Sequence, residues 1–248
     1  MKALVTGASS GIGRDMALVL GSMGYDLILV ARRMDRLEEV KKNISTNVQL
    51  ISLDLSIASS CIELYESVKN QKIDILINNA GLGVYGDFGI TDLNAELNMI
   101  DINIRALHIL TKLFLKDFKT RNSGYILNVA SVAAFLPGPL FAGYYATKVY
   151  VLRLTEAIHE ELRQSKSNVY IGALCPGPVQ TEFDIVAKIG QGVRGLKSDF
   201  VASYAIKMMF KRKMIIIPGA LMKIVRIFLK FIPEKLLLKV SYKMQSQK

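Results

Sequence analysis

The chain has 248 residues, of which 51 % are hydrophobic and 21 % charged, with 18 Gly, 6 Pro and 2 Cys. This composition can bury one large core, so it excludes low-complexity disorder, and two unpaired cysteines exclude a disulfide scaffold and indicate a reducing compartment. The uncharged stretch 122–147 is interrupted by Gly and Pro, which argues against a membrane-spanning helix, and the N-terminus lacks the apolar core of a signal peptide. We therefore predict a cytoplasmic protein.

The net charge of +11 is concentrated at the C-terminal end. Ten of the 32 basic residues and one of the 21 acidic residues lie within 211–248, so this segment carries +9 and residues 1–210 carry +2. Because the body is nearly neutral, the basic total does not indicate a nucleic-acid-binding domain.

Apolar runs rich in Val, Ile and Leu alternate with helical patterns such as Ile12–Met23 and Asp35–Ile44. Strands this apolar must be covered on both faces, and the helices between them have the length of right-handed crossovers. The predicted strands are Lys2–Thr6, Asp26–Val30, Val48–Leu53, Ile73–Ile77, Tyr125–Ala130, Val169–Leu174 and Met214–Ile217. We predict an α/β fold with a doubly wound parallel sheet of about seven strands and helices on both faces, in which ligands bind beyond the carboxyl ends of the strands.

A glycine-rich loop follows the first strand and leads directly into a helix. Its sequence from Thr6 to Gly13 is Thr-Gly-Ala-Ser-Ser-Gly-Ile-Gly. Such glycines let the backbone turn tightly and approach a pyrophosphate, and the helix N-terminus supplies free N–H groups. The alternative is a glycine-rich turn without a ligand. The residues predicted to bind a dinucleotide here are Gly7, Ser9, Ser10, Gly11, Ile12 and Gly13.

The sequence after the second strand bears on the choice of dinucleotide. Folds that bind NAD place a carboxylate there, against the ribose 2′-hydroxyl, whereas this chain has Arg32 and Arg33. Guanidinium groups favour the 2′-phosphate of NADP, and the alternative is a solvated pair beside a helix start capped by Asp35. Asp54, after the third strand, either accepts a hydrogen bond from the adenine amino group or caps a turn.

Tyr144 and Lys148 have a spacing that places a phenol and an ammonium on one face of a helix. The same spacing occurs at Tyr65 and Lys69, so the pair alone is weak evidence. A phenol titrates near pH 10 in water, and a neighbouring ammonium favours phenolate, which would make Tyr144 a useful proton donor or acceptor.

A serine precedes each of these tyrosines by 13 residues, at Ser131 and at Ser52. Ser131 follows the strand Tyr125–Ala130 at the ligand-binding edge, whereas Ser52 lies within an outer strand, so placement favours the site at Ser131. Its hydroxyl would stabilise the charge that develops on a substrate oxygen.

These motifs together resemble the short-chain dehydrogenase/reductase family over nearly the whole chain. The resemblance implies a Rossmann-like fold, an NAD(P) cofactor, and hydride transfer between C4 of the nicotinamide and a carbonyl or alcohol. The residues that carry it are Thr6–Gly13, Asp54-Leu55, Asn78–Gly81, Asn103, Ser131, Tyr144 with Lys148, and Pro176–Thr181.

The resemblance also implies individual roles. It implies a catalytic tetrad of Asn103, Ser131, Tyr144 and Lys148, in which Lys148 also holds the nicotinamide ribose and Asn103, on a helix, orders a water that passes protons to solvent. It implies that residues 78–81 support the sheet beside the cofactor. The cofactor-binding set is completed by Leu55, Asn79, Ala80, Gly81, Tyr144, Lys148, Pro176, Gly177, Val179 and Thr181. No metal site is predicted.

The residues expected around the substrate are apolar, which favours a hydrophobic carbonyl such as a 3-oxoacyl chain, a steroid-like ketone or a small diketone. Core packing explains single aromatic residues equally well. The expected substrate residues are Val84, Tyr85, Phe88, Phe135, Leu136 and Phe141. Gly190, Gly192 and Gly195 predict a hinge-rich lid beyond Thr181.

Residues 219–248 are predicted to extend an NADP-binding catalytic domain at 1–218. The helices Ala220–Ile232 and Glu234–Met244 each have a narrow basic stripe beside a broad apolar face. Three interpretations stay open: an anionic membrane surface with the cations toward the headgroups, packing on the body, or the interface of a homodimer or homotetramer. Nucleic acid is disfavoured because no stacking aromatics alternate with the stripe.

Two functions of different class are compatible with this fold. The first is an NADP-dependent carbonyl reductase, cytoplasmic or held at the inner membrane face. The second is a non-catalytic, NADP-sensing binding protein. Because all four tetrad positions are filled, the sequence favours the enzyme.

Overall fold

A seven-stranded parallel sheet forms the centre of the structure, a computed structural model that describes residues 1–183, 187, 195–229 and 231–246. Its strands are β1 Lys2–Thr6, β2 Asp26–Ala31, β3 Val48–Ser52, β4 Ile75–Asn78, β5 Tyr125–Val129, β6 Tyr170–Leu174 and β9 Ile215–Ile216. In the sheet the strand order is β3-β2-β1-β4-β5-β6-β9, and every pairing is parallel. The two remaining strands, β7 Val179–Gln180 and β8 Leu196–Lys197, pair with each other. The doubly wound parallel sheet predicted from the sequence is confirmed.

Helices cover both faces of this sheet. They are α1 Gly11–Ser22, α2 Met34–Lys41, α3 Ala58–Val68, α4 Leu93–Ile100, α5 Leu107–Thr120, α6 Ala142–Gln164, α7 Ser198–Phe210, α8 Ala220–Leu229 and α9 Glu234–Gln245. A π-helical turn, Asp101–Ala106, joins α4 to α5, and a 3₁₀ turn, Val132–Phe135, follows β5.

Strand β2 shows how the two faces are filled. Leu27 and Leu29 pack in one core with α1, α2 and α7, whereas Ile28 and Val30 pack in the other with α3 and α5. All four side chains are buried because successive residues of a strand point to opposite faces and both faces carry helices. The continuous apolar runs in the sequence have this cause.

Most element boundaries differ from the prediction by one to three residues, and two of these differences have identifiable reasons. The last strand is shorter than the predicted Met214–Ile217, since it lies at the sheet edge and pairs with β6 only through Ile215 and Ile216. Helix α2 begins at Met34 with Arg33 in the N-cap position. Asp35 therefore lies in the first turn and does not cap the helix.

The order of the sheet creates a crevice beyond the carboxyl ends of β1 and β4, where the chain connections diverge to opposite sides. Thr6 ties the two strand ends together: its Oγ1 accepts hydrogen bonds from the backbone N–H of Asn79 at 3.0 Å and of Ala80 at 3.1 Å. The Asn79 amide donates to the carbonyl oxygens of Thr6 and Gly7 at 3.0 and 3.1 Å. The glycine loop and the loop after β4 thus form one rigid floor.

Helices α8 and α9 follow the sheet as the extension expected for residues 219–248, and the division from residues 1–218 stays a prediction. Across the described ranges, no helix has the length and apolarity needed to cross a membrane.

Candidate active site

A cleft of about 460 Å³ opens at the carboxyl edge of the sheet. Nearly all of the predicted site residues line it. They are Gly7, Ser9, Ser10, Gly11, Ile12, Arg32, Arg33, Asp54, Leu55, Asn79, Ala80, Gly81, Ser131, Tyr144, Lys148, Pro176, Gly177, Val179 and Thr181. Gly13 and Asn103 lie outside the lining, behind its surface.

The glycine loop has the shape of a cradle for a phosphate group. Gly7 has φ +63°, and a Cβ there would lie 2.8 Å from Ala80 Cα. Gly11 has φ +54° and faces Thr181, whose Cγ2 would lie 2.9 Å from an added Cβ. The side chain of Ser10, at the N-cap of α1, makes no capping hydrogen bond. The first N–H groups of α1 therefore suit the pyrophosphate of a dinucleotide.

Gly13 has a different role from the other two glycines. A Cβ at this position would lie 2.3 Å from Asn79 Nδ2 and 2.4 Å from the carbonyl oxygen of Gly7. Gly13 thus permits close packing of α1 on the loop floor, without lining the cleft itself.

Arginine side chains lie at the end of the cleft nearest β2. The Nη2 atom of Arg33 is 3.4 Å from the hydroxyls of both Ser9 and Ser10 and 2.9 Å from Glu182 Oε2. This hydrogen bond from Arg33 holds the pKa of Glu182 below its ordinary value. Glu182 lies 149 residues from Arg33 in the chain, so no local pattern in the sequence indicates this pairing. A cationic group beside two hydroxyls fits a phosphate, whereas Glu182 competes for the same guanidinium.

The two interpretations of Asp54 are both compatible with its surroundings. Its Oδ1 accepts hydrogen bonds from the N–H of Ser56 at 2.9 Å and from the Ser56 hydroxyl at 2.8 Å, which is a turn cap. Its Oδ2 lies 3.9 Å from Arg32 Nη1. A role toward adenine stays a prediction.

Tyr144 and Lys148 are buried in the middle of the cleft, one turn apart on α6. Lys148 Nζ lies 5.6 Å from the centroid of the Tyr144 ring and donates a hydrogen bond to the carbonyl oxygen of Val129 at 3.0 Å. Burial lowers the pKa of Lys148 to about 8. The ammonium thus remains the main form at neutral pH, and its position favours negative charge on nearby groups.

Ser131 lies at the end of β5, where it caps the 3₁₀ turn. Its Oγ accepts a hydrogen bond from the N–H of Ala133 at 3.1 Å and lies 3.5 Å from the carbonyl oxygen of Pro176. These contacts fix the rotamer of a hydroxyl that lines the same cleft as Tyr144.

Asn103 lies in the π-helical turn that joins α4 to α5. Its amide donates to the carbonyl of Leu82 at 2.9 Å and to Thr147 Oγ1 at 3.0 Å, and its Oδ1 accepts from the N–H of Leu82 at 3.0 Å. A Cβ on Gly81 would lie 3.0 Å from Asn103 Oδ1 and 3.4 Å from Lys148 Nζ. Asn103 therefore ties the loop after β4 to α6, beside Lys148, and its role in ordering a water stays a prediction. The sequence predicted a helix here but not the π-helical turn.

The second tyrosine–lysine pair has a structural role. The Tyr65 hydroxyl hydrogen-bonds to Asp117 at 2.9 Å, and Lys69 forms an ion pair with Glu66. Neither residue lines the cleft, and the serine that precedes Tyr65, Ser52, bonds to the carbonyl of Arg32.

Aromatic side chains line the end of the cleft where the sequence predicts the substrate, which we call the substrate end. The Phe141 ring stacks on Tyr144 at a centroid distance of 4.5 Å, and Phe183 lies 5.3 Å from Tyr144. Tyr85 packs against Phe141 from outside at 5.9 Å. Tyr145, which the sequence analysis did not select, also lines the cleft.

The other residues expected around the substrate are placed differently. Val84 packs against the aromatic cluster, Phe88 is 71 % exposed, and Phe135 lies under the guanidinium of Arg226. In the proposed lid, Gly190 and Gly192 lie outside the described residues.

Helix α9 contributes a residue that the sequence analysis missed. The side-chain amide of Gln245 donates a hydrogen bond to the Tyr145 hydroxyl, and the backbone carbonyl of Gln245 accepts one from the Tyr85 hydroxyl. Gln245 is separated from these tyrosines by 100 and 160 residues, so no local pattern in the sequence indicates the contact.

Comparisons with known proteins agree with this geometry. The sequence profile of a family described as short chain dehydrogenase matches residues 1–190. This chain belongs to the short-chain dehydrogenase family. The family consists of oxidoreductases whose cofactor is a nicotinamide dinucleotide, which agrees with the expectation from the glycine loop and the tyrosine–lysine pair.

Three relatives of this short-chain dehydrogenase illustrate the similarity. An uncharacterized oxidoreductase of Staphylococcus epidermidis is 36 % identical over 184 residues, which cover 72 % of this chain and 78 % of that protein. An NADP-dependent 3-hydroxy acid dehydrogenase of Schizosaccharomyces pombe is 34 % identical over 195 residues, which cover 74 % and 73 %. A solved short-chain dehydrogenase from Sphingobium yanoikuyae in complex with NADPH has a TM-score of 0.83 at 30 % identity, covering 88 % of each chain.

Proposed function

We propose that this short-chain dehydrogenase uses NADP(H) to interconvert a carbonyl and a secondary alcohol on a hydrophobic substrate. One observation carries the proposal: a single cleft holds Tyr144, Lys148 and Ser131 against aromatic side chains at one end and Arg33 at the other. When bound, the nicotinamide supplies or accepts the hydride.

The residues at the substrate end divide the remaining work. Tyr144 donates a proton to the substrate oxygen during reduction and accepts it during oxidation. The Ser131 hydroxyl donates a hydrogen bond to the same oxygen and stabilises the charge that develops there. Lys148, held at 3.0 Å from the carbonyl of Val129, keeps a positive charge beside the phenol and holds the nicotinamide ribose. Asn103 fixes the backbone of Leu82 behind them.

The cofactor preference rests on the arginines. Arg33 and the hydroxyls of Ser9 and Ser10 form a group of donors at 3.4 Å spacing, and Arg32 lies beside Asp54 on the same side of the cleft. A guanidinium with two hydroxyls suits the 2′-phosphate that distinguishes NADP from NAD. The NADPH complex of the Sphingobium relative supports this choice.

The substrate proposal rests on the aromatic end of the cleft. Phe141, Tyr145 and Phe183 line it, and these side chains suit an acyl chain, a steroid-like ring system or a small diketone. The relative from Schizosaccharomyces pombe acts on a 3-hydroxy acid, which is the alcohol form of a 3-oxo acid, and so favours a 3-oxoacyl chain among these. We also propose that the protein is cytoplasmic and forms a homodimer or a homotetramer.

The test is oxidation of NADPH and of NADH with a panel of 3-oxoacyl thioesters, ketosteroids, diketones and aromatic ketones. Tyr144→Phe should abolish turnover while NADPH still binds. Tyr65→Phe is the matched control, because it removes the hydroxyl from the tyrosine of the second pair, and it should retain turnover. Turnover in Tyr144→Phe would overturn the proposed chemistry, and light scattering on the wild type tests the oligomer.

A further inference from the structure

The C-terminal extension carries an unusual amount of exposed apolar surface. Of the 23 large apolar side chains that are exposed in the described part of the chain, twelve lie between Leu221 and Met244. Leu221 is 66 % exposed and Phe228 is 62 % exposed, and none of the described residues of α8 is buried. Apolar surface concentrated in this way on a soluble domain marks an interaction site.

Helix α8 contacts the body through Met222, Lys223 and Arg226, so two of these three side chains are cations. Lys223 Nζ donates to the Tyr204 hydroxyl at 2.8 Å, and the guanidinium of Arg226 lies 4.8 Å from the centroid of the Phe135 ring. Lys223 and Arg226 are therefore directed to the body, so these two cations do not have the orientation that the membrane interpretation of the sequence gave them. Its apolar residues Leu221, Ile224 and Phe228, which share one helical face, point outward.

Helix α9 also directs polar side chains to the body. The buried residues of α9 are Ser241 and Gln245, one turn apart, whereas Leu236, Val240 and Met244 are 53 %, 47 % and 63 % exposed. A helix that buries polar side chains and leaves apolar ones in water forgoes hydrophobic stabilisation. A partner on its outer face would restore that stabilisation.

The charge of the C-terminal extension indicates the chemistry of its partner. Lys235, Lys239 and Lys243 are exposed along α9 beside the apolar residues, and Glu234 is the one acid among residues 211–248. In a symmetric dimer through this face, the exposed lysines of the two α9 helices would oppose each other, which costs electrostatic energy. An anionic surface with an apolar interior complements both the lysines and the apolar side chains.

We propose that the outward face of α8 and α9 docks onto an anionic lipid bilayer. We define this tail face by Leu221, Ile224, Phe228, Leu236, Val240 and Met244. The apolar side chains enter the boundary between headgroups and acyl chains, and the lysines of α9 contact the headgroups. Docking of this face does not depend on the proposed reaction.

The position of α9 connects this face to the substrate end of the cleft. Gln245 bonds to Tyr145, which lines the cleft, and to Tyr85, which lies in the same loop as exposed Phe88 and Ile90. Docking therefore brings the substrate end of the cleft close to the apolar phase. This placement suits substrates that partition into lipid.

Flotation of the full chain with lipid vesicles tests the proposal. We expect the protein to float with vesicles that contain phosphatidylglycerol and to remain unbound with pure phosphatidylcholine. Exchange of three α9 lysines, Lys235→Gln with Lys239→Gln and Lys243→Gln, should lower the partition coefficient on the order of a hundredfold. The control variant replaces three exposed lysines of α5, with Lys112→Gln, Lys116→Gln and Lys119→Gln. It should partition like the wild type.

A second pair of variants tests the apolar contribution. Ile224→Gln with Phe228→Gln should abolish flotation, whereas Ile57→Gln with Ile62→Gln, which changes two residues of similar exposure near α3, should leave it intact. Retained NADPH binding in each variant shows that the body is folded. Absence of wild-type flotation on anionic vesicles overturns the proposal. Equal flotation of a tail variant and its control also overturns the proposal. A dimer in light scattering that is dissociated only by Ile224→Gln with Phe228→Gln would overturn it as well.

Discussion

The side-chain amide of Gln245 donates a hydrogen bond to the hydroxyl of Tyr145, the residue directly after Tyr144. The Tyr145 ring lies 6.1 Å from the Tyr144 ring and 5.9 Å from Phe141. Burial raises the pKa of Tyr145, so its phenol stays protonated at neutral pH, with an amide as its partner. The last turn of α9 thereby supports the wall of the substrate end from behind.

Replacement of Gln245 should therefore affect the substrate and not the cofactor. In Gln245→Ala, the loss of one buried hydrogen bond of about 1 kcal/mol should raise KM for the carbonyl about fivefold, with an unchanged Kd for NADPH. Steady-state kinetics and a cofactor titration measure the two quantities. Gln164→Ala, at the exposed end of α6, is the control and should change neither. An equal rise in both constants would contradict this role.

Arg33 should determine the preference for NADPH. Arg33→Ala removes the guanidinium beside Ser9 and Ser10 and should weaken NADPH binding by about 10- to 100-fold, since charge-assisted hydrogen bonds contribute about 1.5–3 kcal/mol. NADH binding should change little. Arg36→Ala, an exposed arginine on α2, serves as the control. Equal losses for both cofactors would show that Arg33 does not contact the phosphate.

Glu182 should oppose the same interaction. Its carboxylate is 2.9 Å from Arg33 Nη2, where it competes with a phosphate for the guanidinium. The two side chains are 46 % and 42 % exposed, so the pair is worth about 0–1 kcal/mol. Glu182→Gln should thus tighten NADPH binding by up to about fivefold and leave NADH binding unchanged. Weaker NADPH binding in this variant would refute the competition, and Glu39→Gln is the control on α2.

Lys148 should set the alkaline limit of activity. Its pKa is lowered to about 8, so the ammonium is present below that pH and is lost as the pH rises through it. The positive charge beside Tyr144 disappears with it, and kcat/KM should fall above about pH 8. In Lys148→Arg the charge persists, so any residual activity should lack this decline. A flat wild-type profile between about pH 6 and pH 10 would contradict the assignment.

The same burial should make Lys148 costly for stability. The pKa of Lys148 is lower in the folded chain than in the unfolded chain, where it is about 10.4. Below about pH 8 the folded state therefore holds a desolvated ammonium, which lowers the free energy of unfolding. This destabilisation decreases as the pH rises from about 8 toward about 10.4. Lys148→Met should therefore raise the free energy of unfolding at pH 7 by up to about 3 kcal/mol while abolishing turnover. Chemical denaturation at pH 7 and at pH 10 measures this, and the gain should shrink at the higher pH. A destabilised variant at pH 7 would refute the cost.

The sequence alone determined the fold and the position of the cleft. Apolar runs alternating with helical patterns suffice for a parallel sheet, because burial on both faces leaves its mark on every strand, as Leu27 to Val30 show. The glycine loop and the Tyr144–Lys148 spacing are local patterns. The residues next to them in the chain place the loop at a strand-to-helix junction and the tyrosine–lysine pair on one face of a helix. Proximity along the chain is enough to recognise both.

The tertiary structure decided the contacts between residues that are far apart in the chain. Arg33 meets Glu182, Asn103 holds Leu82 and Thr147, and Gln245 reaches Tyr145 only because the sheet order and the path of α9 bring these segments together. The periodicity of α8 and α9 predicts an apolar face and a basic stripe on each helix. It does not predict which of the two faces the body. Which side of α8 faces the body depends on Tyr204 and Phe135, which contact Lys223 and Arg226, so Leu221, Ile224 and Phe228 are exposed.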